Sequence, residues 1–414
     1  MAERGVSLGA RRNLRVRYRL TPWWAKVLVA FVASRVVTTA ILLSFAARQG
    51  PNAWTPAHPD YFDFAAIWDG HWYYIIAAVG YPSTLPVTAD GQVGESAWAF
   101  MPAYPAIVRV FMLLTGQGFP VVSVFVSVAF ALAAALMFYR LMHLVLPAST
   151  ALFAVVLFCV APLSPILQVS YAESMHAFLL ALALYLLVRR RYWMLIPVVA
   201  VMSLTRPSGL AFALAMLLHV AHRWWVQRPS ARSRQVFPVR ERVASITVGL
   251  FSAVMGVAWL LVAAVVTGSL TAYTDTEIAW RSAYIGHGEL VPFTSWLSAT
   301  EFWAPWFRMP QPLLLALLVL IVAGFFAALL TPWARRLGTD MRFWIASYAL
   351  YLLAVFFPQS SLFRLLVPLF PALGVLAIPK SPVYRVVIVA LCIAGQWAWV
   401  QLGWWVDGYD WTPP

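Results

Sequence analysis

The chain has 414 residues, of which 62% are hydrophobic and 11% are charged. Soluble domains carry about 25% charged residues, so this composition excludes a soluble protein and predicts one integral-membrane domain over 1–414. The net charge of +14 does not indicate nucleic-acid binding, because most of the 29 basic residues fall at one set of segment ends. Only Glu3, Glu241 and Asp340 of the 15 acidic residues share those ends. This is the positive-inside pattern, and it predicts a multi-pass protein of the cell membrane with a cytoplasmic N-terminus.

A spanning helix needs about 20 apolar residues, and segments of this kind predict an all-α bundle of about eleven spans. The first, 24–46, leads to a large extracytoplasmic loop at 47–100, in which 62–79 is amphipathic and predicted to lie along the membrane surface. Residues 101–116 are apolar but short, and predict a dipping or interfacial helix. The other predicted spans are 119–140, 150–168, 174–188, 243–267, 311–333, 342–357, 363–378 and 384–404, together with two short arms at 192–204 and 208–221.

The two arms flank a polar turn that contains Arg206. Broken helices at membrane depth are tolerated where they are buried in protein or line a cavity, so this turn is a candidate cavity wall. The basic stretch 222–242 is predicted to be a cytoplasmic loop that lies near anionic lipid headgroups. A second extracytoplasmic loop is predicted at 268–310, and its polar and aromatic residues are Asp275, Glu277, Trp280, Arg281, His287 and Glu289.

The most polar long stretch that follows a hydrophobic span is 67–105, and it places Asp69 between Trp68 and Trp72. A partly buried aspartate at a membrane surface has the chemistry of a general base. The alternative is a carboxylate that only caps the surface helix. Asp60 and Asp63 lie nearby but lack the aromatic frame, so Asp69 is the first candidate for catalysis.

Arg206 and Arg364 are predicted near the outer face of the bundle, where a guanidinium group suits a lipid phosphate. The alternative for each arginine is an ion pair with Glu173 or Asp69 that only orders the bundle. Arg35, near the middle of the first span, is predicted to form a structural pair or to cap backbone carbonyls. The sequence shows no spacing typical of metal ligands, so no metal or other cofactor is predicted.

At this point the sequence resembles a known family. The stretch WDGHWYYIIAAVGY, followed by ESAWAFMPAYP, is similar to the first-loop signature of the PIG-V family of mannosyltransferases, which belong to the integral-membrane GT-C class. The similarity continues, in the same order, in PLSP at 162–165, YAES at 171–174, RPSG at 206–209 and SSLFRLLVPLFP at 360–371. The chain departs from the pattern in a long insert before Glu95 and in Met101, where an aromatic residue is expected.

The resemblance implies a GT-C fold and a donor in which mannose is linked to a polyprenyl phosphate. Transfer to a lipid or glycan acceptor would occur on the extracytoplasmic face, with inversion at the sugar carbon and Asp69 as the base. Arg206 and Arg364 would hold the phosphate, and no divalent metal would be needed. The candidate substrate-binding residues are Trp68, His71, Trp72, Tyr81, Glu95, Tyr104, Tyr171, Glu173, Arg206 and Arg364.

Two other kinds of function remain open from the sequence. A transporter or flippase for a lipid-linked sugar would also use broken helices and buried arginines, and the same enzyme class could transfer another sugar, such as a pentose. A non-catalytic scaffold would not need an acidic outer pocket that faces two arginines. A glycosyltransferase is favoured because the polar residues concentrate in one outer loop and because the sequence shows no inverted-repeat symmetry.

Overall fold

The computed structural model describes residues 20–228, 235–288 and 290–406. Over these ranges the chain is helical, and the one β pairing among them is an isolated bridge between Val87 and Val93. The predictions for the basic N-terminal residues 1–19 and for Glu289 lie outside the described residues. The first ten α-helices are α1 (Trp23–Ala46), α2 (Tyr61–Ala65), α3 (Asp69–Val79), α4 (Ala103–Thr115), α5 (Phe119–His143), α6 (Ala148–Val160), α7 (Glu173–Val188), α8 (Tyr192–Ser203), α9 (Gly209–Gln227) and α10 (Val239–Thr267).

The second half of the chain contains shorter helices between longer ones. They are α11 (Ala272–Ile285), α12 (Ser295–Trp306), α13 (Gln311–Ala328), α14 (Pro332–Arg335), α15 (Thr339–Val355), α16 (Leu362–Leu365), α17 (Leu373–Leu376) and α18 (Pro382–Trp399). Three 3-10 turns cover Ala97–Ala99, Ser164–Gln168 and Val367–Ala372, and a π turn at Val400–Trp404 ends the last helix. Helices α11 and α12 lie within the predicted second outer loop.

Six helices in the described ranges are long and apolar enough to cross a membrane, which confirms the predicted all-α, polytopic membrane protein. They are α1, α5, α9, α10, α13 and Pro382–Trp404. Shorter apolar helices, including α6, α7 and α8, coincide with other predicted spans, and α15 coincides with the span predicted at 342–357. Helix α4 has 13 residues, which at 1.5 Å per residue is about 20 Å and too short for a full crossing.

Prolines interrupt two of the predicted spans, which differ from the continuous helices expected there. The span predicted at 150–168 is helical only to Val160, because Pro162 and Pro165 follow and the chain continues as a 3-10 turn. The span predicted at 363–378 divides into α16, a 3-10 turn around Pro368 and Pro371, and α17. Proline lacks the N–H that continues a helical ladder and clashes with the preceding turn.

The carbonyl groups released at the broken end of α6 are bonded by buried side chains from α1 and α18. Arg35 donates to Cys159 O at 2.6 Å and to Ser164 O at 3.0 Å, and Gln396 Nε2 donates to Val160 O at 2.9 Å. Backbone polar groups at membrane depth need partners of this kind. The predicted role of Arg35 in capping carbonyls is confirmed by these contacts.

The second short arm is longer than predicted. Helix α9 extends to Gln227 rather than ending near 221, and α10 begins at Val239, so both ends of the predicted loop at 222–242 are helical. The reason is that Arg223 is buried and finds partners, with its guanidinium 2.8 Å from Glu241 and 3.0 Å from Gln235. A basic residue that is paired in this way continues the helix instead of ending it.

Helices α9 and α10 approach so closely that their backbones touch at two glycines. A Cβ atom at Gly209 would lie 2.6 Å from Gly256 Cα, and a Cβ atom at Gly256 would lie 2.7 Å from Leu210 N. Small residues permit this kind of contact between helices in membranes. The contact fixes the start of α9, three residues after Arg206.

We expect Gly256→Ala to destabilise the bundle by about 1–3 kcal/mol, because the methyl group overpacks backbone that cannot move aside. Thermal unfolding in detergent measures the loss. Gly324→Ala is the matched control, since Gly324 lies in α13 and a Cβ atom added there would have nothing within 4 Å, while alanine favours a helix. Equal unfolding temperatures for the two variants would contradict the close approach.

Candidate active site

Asp69 is the first residue of α3, and an unusual backbone at Trp68 places it there. Trp68 has φ 59° and ψ −127°, a region that favours glycine. Packing holds this strained conformation, because the Trp68 indole N–H donates to Trp404 O at 3.0 Å and its ring lies 4.5 Å from that of Trp54. Strain of this kind concentrates at functional sites. It also divides the surface helix predicted at 62–79 into α2 and α3.

The carboxylate of Asp69 does not cap the helix. Trp68 occupies the cap position without a side-chain bond, and side-chain capping in this loop belongs to Asp60, which accepts from the backbone N–H of Asp63 at the start of α2. The Asp69 side chain instead forms an ion pair with Arg364 Nη1, and its backbone N–H donates to Tyr171 Oη at 3.1 Å. The carboxylate is therefore available for chemistry that does not involve the helix terminus.

Two further charged side chains, Glu173 and Arg206, join this pair, so that four from distant segments meet. Arg206 Nη2 lies 3.0 Å from Glu173 Oε1, and Arg364 Nε lies 3.7 Å from the same oxygen. Asp69 begins α3, Glu173 begins α7, Arg206 precedes α9 and Arg364 lies in α16. The ion pairs considered as the alternative for each arginine are thus present. Together the ion pairs form a cluster of two carboxylates and two guanidinium groups with no net charge.

Exposure divides this cluster into an open part and a closed part. The side chains of Asp69, Arg364 and Arg206 are 13%, 12% and 16% exposed, whereas that of Glu173 is 4% exposed. Among the described residues, Glu173 Oε1 and Oε2 and Arg364 Nε have no directed hydrogen bond. The side chains of the two arginines are therefore partly exposed, whereas Glu173 and the Arg364 Nε that faces it are buried.

Tyrosines line the inner wall of the cluster. The Arg364 guanidinium lies 5.4 Å from the centre of the Tyr171 ring, and Arg206 Nη1 lies 3.5 Å from Tyr73 Oη. Burial raises the pKa of Tyr73, so its hydroxyl stays protonated and can donate a hydrogen bond. Tyr104 is also buried, and its hydroxyl contacts Ser123 O and Ser127 Oγ rather than the charged cluster.

The other predicted site residues of the first loop do not join the ion pairs. The Trp72 ring stacks on that of Phe100 at 5.7 Å, and Tyr81 donates its hydroxyl to Phe100 O at 2.8 Å. His71 and Glu95 are exposed. The structure therefore brings together Asp69, Tyr171, Glu173, Arg206 and Arg364. Trp68, Trp72, Tyr81 and Tyr104 pack on neighbouring aromatic residues, whereas His71 and Glu95 lie on the exposed surface.

Residues that the sequence analysis did not select also reach the site. Trp404, from the π turn, packs its ring 5.3 Å from that of Tyr171 and donates its N–H to Phe64 O at 3.0 Å. Trp280 of α11 packs edge-on to Trp72 at 5.5 Å. Glu277, one turn earlier, lies within electrostatic reach of Arg206 and Arg364. The three-residue spacing of Glu277 and Trp280 in the sequence indicates that they share a helix face. This spacing was the pattern that could have identified Glu277 as a site residue.

An apolar groove opens beside Arg364. Its cavity volume is about 510 Å³, and its walls come from the end of α6, the 3-10 turn after it, the segment 363–373 and the last helix. Phe363 and Leu366, on either side of Arg364 in the sequence, line it together with Leu402. Phe363 is 58% and Leu402 is 72% exposed on the outer surface. The groove can therefore admit a hydrocarbon chain from the side of the bundle.

Among residues 20–228, 235–288 and 290–406, no group of three or more His, Cys, Asp or Glu side chains could hold a metal ion. The positive charge of the candidate site is supplied by its two arginines.

Comparisons with known proteins complete the description. No family model matches the chain, and no curated protein matches it either. A solved structure of the Archaeoglobus fulgidus oligosaccharyltransferase, tethered with an acceptor peptide, aligns at 12% identity with a TM-score of 0.40. The alignment covers 88% of this chain and 53% of that one, so the chain spans about half the length of the structure it matches. Neither a family nor an activity follows from this alignment.

Proposed function

We propose that the protein is an inverting GT-C-type glycosyltransferase that moves a sugar from a polyprenyl-phosphate donor to a lipid or glycan acceptor. The observation that carries the proposal is the partly exposed Asp69–Arg364 pair, with Arg206 beside it, next to an apolar groove. A lipid-linked sugar phosphate needs these three features: an apolar wall for its chain, cations for its phosphate and a base for the acceptor.

The donor lies with its isoprenoid chain in the groove and its phosphate at the two arginines. Phe363 and Leu366 line the groove while Arg364, between them, contacts Asp69, so chain and phosphate can bind together. A phosphate on Arg364 competes with the Asp69 carboxylate for the same guanidinium, whose geometry suits bidentate phosphate contacts. Donor binding therefore releases Asp69 toward the acceptor.

The reaction is then a single displacement. The acceptor oxygen attacks the anomeric carbon while Asp69 takes the hydroxyl proton, and the bond between that carbon and the phosphate oxygen breaks. The electron pair leaves with the polyprenyl phosphate, whose added negative charge Arg206 and Arg364 stabilise. The anomeric configuration inverts because the attack and the departure occur on opposite faces. A single base and a fixed pair of cations are sufficient, so no metal ion is proposed as a cofactor.

The finer assignment rests on the sequence. The first-loop stretch around Asp69 resembles the PIG-V mannosyltransferases, which makes mannose the proposed sugar. The positive-inside distribution makes the extracytoplasmic side of the plasma membrane the proposed face of transfer, with the N-terminus in the cytoplasm and 47–100 as the catalytic loop of a single domain. Glu173 is proposed as a positioning residue, and the support is its burial beside both arginines.

The proposal is tested with purified protein in lipid nanodiscs. We expect radiolabelled mannose to move from polyprenyl phosphate to a component of a membrane lipid extract, and we expect EDTA to leave the rate unchanged because guanidinium groups supply the cationic stabilisation. Parallel donors that carry glucose or a pentose identify the sugar. If intact donor crosses the liposome membrane and no sugar is transferred, the protein is a transporter and the proposed enzyme function is contradicted.

A further inference from the structure

Helix α11 carries a second carboxyl group that the proposed transfer does not use. Tyr273 lies one turn before Glu277 and Arg281 one turn after it, and both are close enough to influence the pKa of its carboxyl group. Arg281 is itself directed elsewhere, because it donates to Ser295 Oγ at 3.4 Å and to Val355 O at 3.2 Å. These bonds anchor α11 to α12 and α15.

The face of α11 that carries Glu277 packs on the aromatic residues beside α3 and lines no part of the apolar groove. Trp280 packs 5.5 Å from Trp72 and 5.8 Å from Phe100, and Trp72 follows Asp69 by one turn of α3. The groove is formed by α6, the 363–373 segment and the last helix, and it includes no residue of α11. The Asp69–Arg364 pair thus has the apolar groove beside Arg364 and the aromatic contact of α11 one turn after Asp69.

A polar group without a hydrogen-bond partner and a carboxyl group share this face. The Trp280 indole N–H is buried and bonds no atom in the described part of the chain. Burial raises the pKa of Glu277 despite the nearby Arg281, Arg206 and Arg364. An unpaired buried donor costs about 1–3 kcal/mol, and such groups in native structures call for an explanation. A ligand that offers both donors and acceptors would satisfy them together.

We propose that Glu277 and Trp280 form an acceptor subsite for a neutral sugar ring. Ring hydroxyls donate to the Glu277 carboxyl and accept from the Trp280 N–H, and the apolar face of the ring packs on Trp72. The carboxyl group of Glu277 disfavours an anionic ligand in this subsite. The phosphate of the donor therefore binds at the two arginines. This subsite adds an acceptor-binding region to the proposed transferase. Its assignment to the acceptor rests on that proposed function.

Binding of small soluble sugars tests the subsite without transfer. The probes are methyl α-mannoside, methyl α-glucoside and myo-inositol, each titrated by saturation-transfer NMR onto the full-length Asp69→Asn protein in nanodiscs. We expect at least one probe to bind, and we expect added Glu277→Gln to weaken it by about tenfold or more, since hydrogen bonds to a charged group are strong. Trp280→Phe keeps the ring but loses the N–H, and we expect a smaller loss.

Glu301→Gln is the matched control, because Glu301 is an exposed glutamate on the neighbouring α12. Binding of a short-chain polyprenyl phosphate should be unchanged in all three variants, which shows that they are folded. The subsite is contradicted if no probe binds, or if Glu277→Gln and Trp280→Phe bind as the parent does. If a probe binds through Glu277 but the wild-type protein transfers no sugar, the subsite stands and the proposed reaction fails.

Discussion

Asp69→Asn should abolish sugar transfer while leaving the protein folded and able to bind donor. The amide keeps the shape of the carboxylate but cannot take the acceptor proton, and a positioned base contributes about a hundred- to ten-thousand-fold to a rate. Initial rates of label transfer in nanodiscs measure the effect. Donor binding should survive, because Arg364 loses a competitor for the phosphate when the charge of Asp69 is removed.

Asp63→Asn is the matched control for this prediction. Asp63 lies six residues before Asp69 in the same loop and is exposed, so the same chemical change there should leave the rate within about twofold. If Asp69→Asn transfers sugar as fast as Asp63→Asn does, Asp69 is a structural partner of Arg364. The base would then have to be sought at another carboxyl group, with Glu277 the first to test.

Arg364→Lys should lower transfer about a hundredfold and weaken donor binding. Lysine retains the positive charge but not the planar fork that holds phosphate through two bonds, and the loss of one oriented donor typically costs a hundred- to a thousandfold in rate. This variant distinguishes the two roles considered for Arg364, which are phosphate binding and an ion pair with Asp69 that only orders the bundle. A residue that only neutralises Asp69 would be replaced adequately by lysine.

The matched control here is Arg109→Lys, since Arg109 is exposed on α4 and should be insensitive to the change. The measurements are the Michaelis constant for the donor, the rate at saturating donor and the unfolding temperature. A fall in unfolding temperature with donor affinity preserved would assign Arg364 to the stability of the bundle. Preserved stability with a raised Michaelis constant would assign it to the phosphate.

The sequence was sufficient to predict the all-α polytopic membrane protein, and the role of Asp69 stays a prediction. Apolar length identifies the spans, and the polar, tryptophan-rich stretch after the first of them singles out Asp69. The proline breaks were visible at Pro162 and Pro368, but apolar length dominated the assignment of those spans. The helical ends of 222–242 could not be predicted, because the pairing of Arg223 with Glu241 depends on two helices that meet in space.

The sequence indicated candidate residues for the site but not how their side chains are arranged. Asp69 and Arg364 are 295 positions apart, and no local pattern indicates that they share one ion pair. Both candidate partners of the arginines could be named from the sequence, yet their arrangement follows from the close approach of α9 and α10 and from the breaks around α16. Glu277 was visible only as one of several polar residues in a loop. The contact between Trp280 and Trp72 links the helix that carries Glu277 to the helix that begins with Asp69. This link is visible only in the structure.

The position of a bound donor tests the central claim most directly. A cryo-electron microscopy structure of the Asp69→Asn protein with a polyprenyl-phosphate-linked mannose would show it. We predict phosphate oxygens at about 2.7–2.9 Å from the nitrogens of Arg364 and Arg206, the isoprenoid chain along Phe363 and Leu366, and the anomeric carbon facing residue 69. A phosphate bound away from both arginines, or a chain outside the groove, would contradict the assignment of this cluster as the centre of sugar transfer.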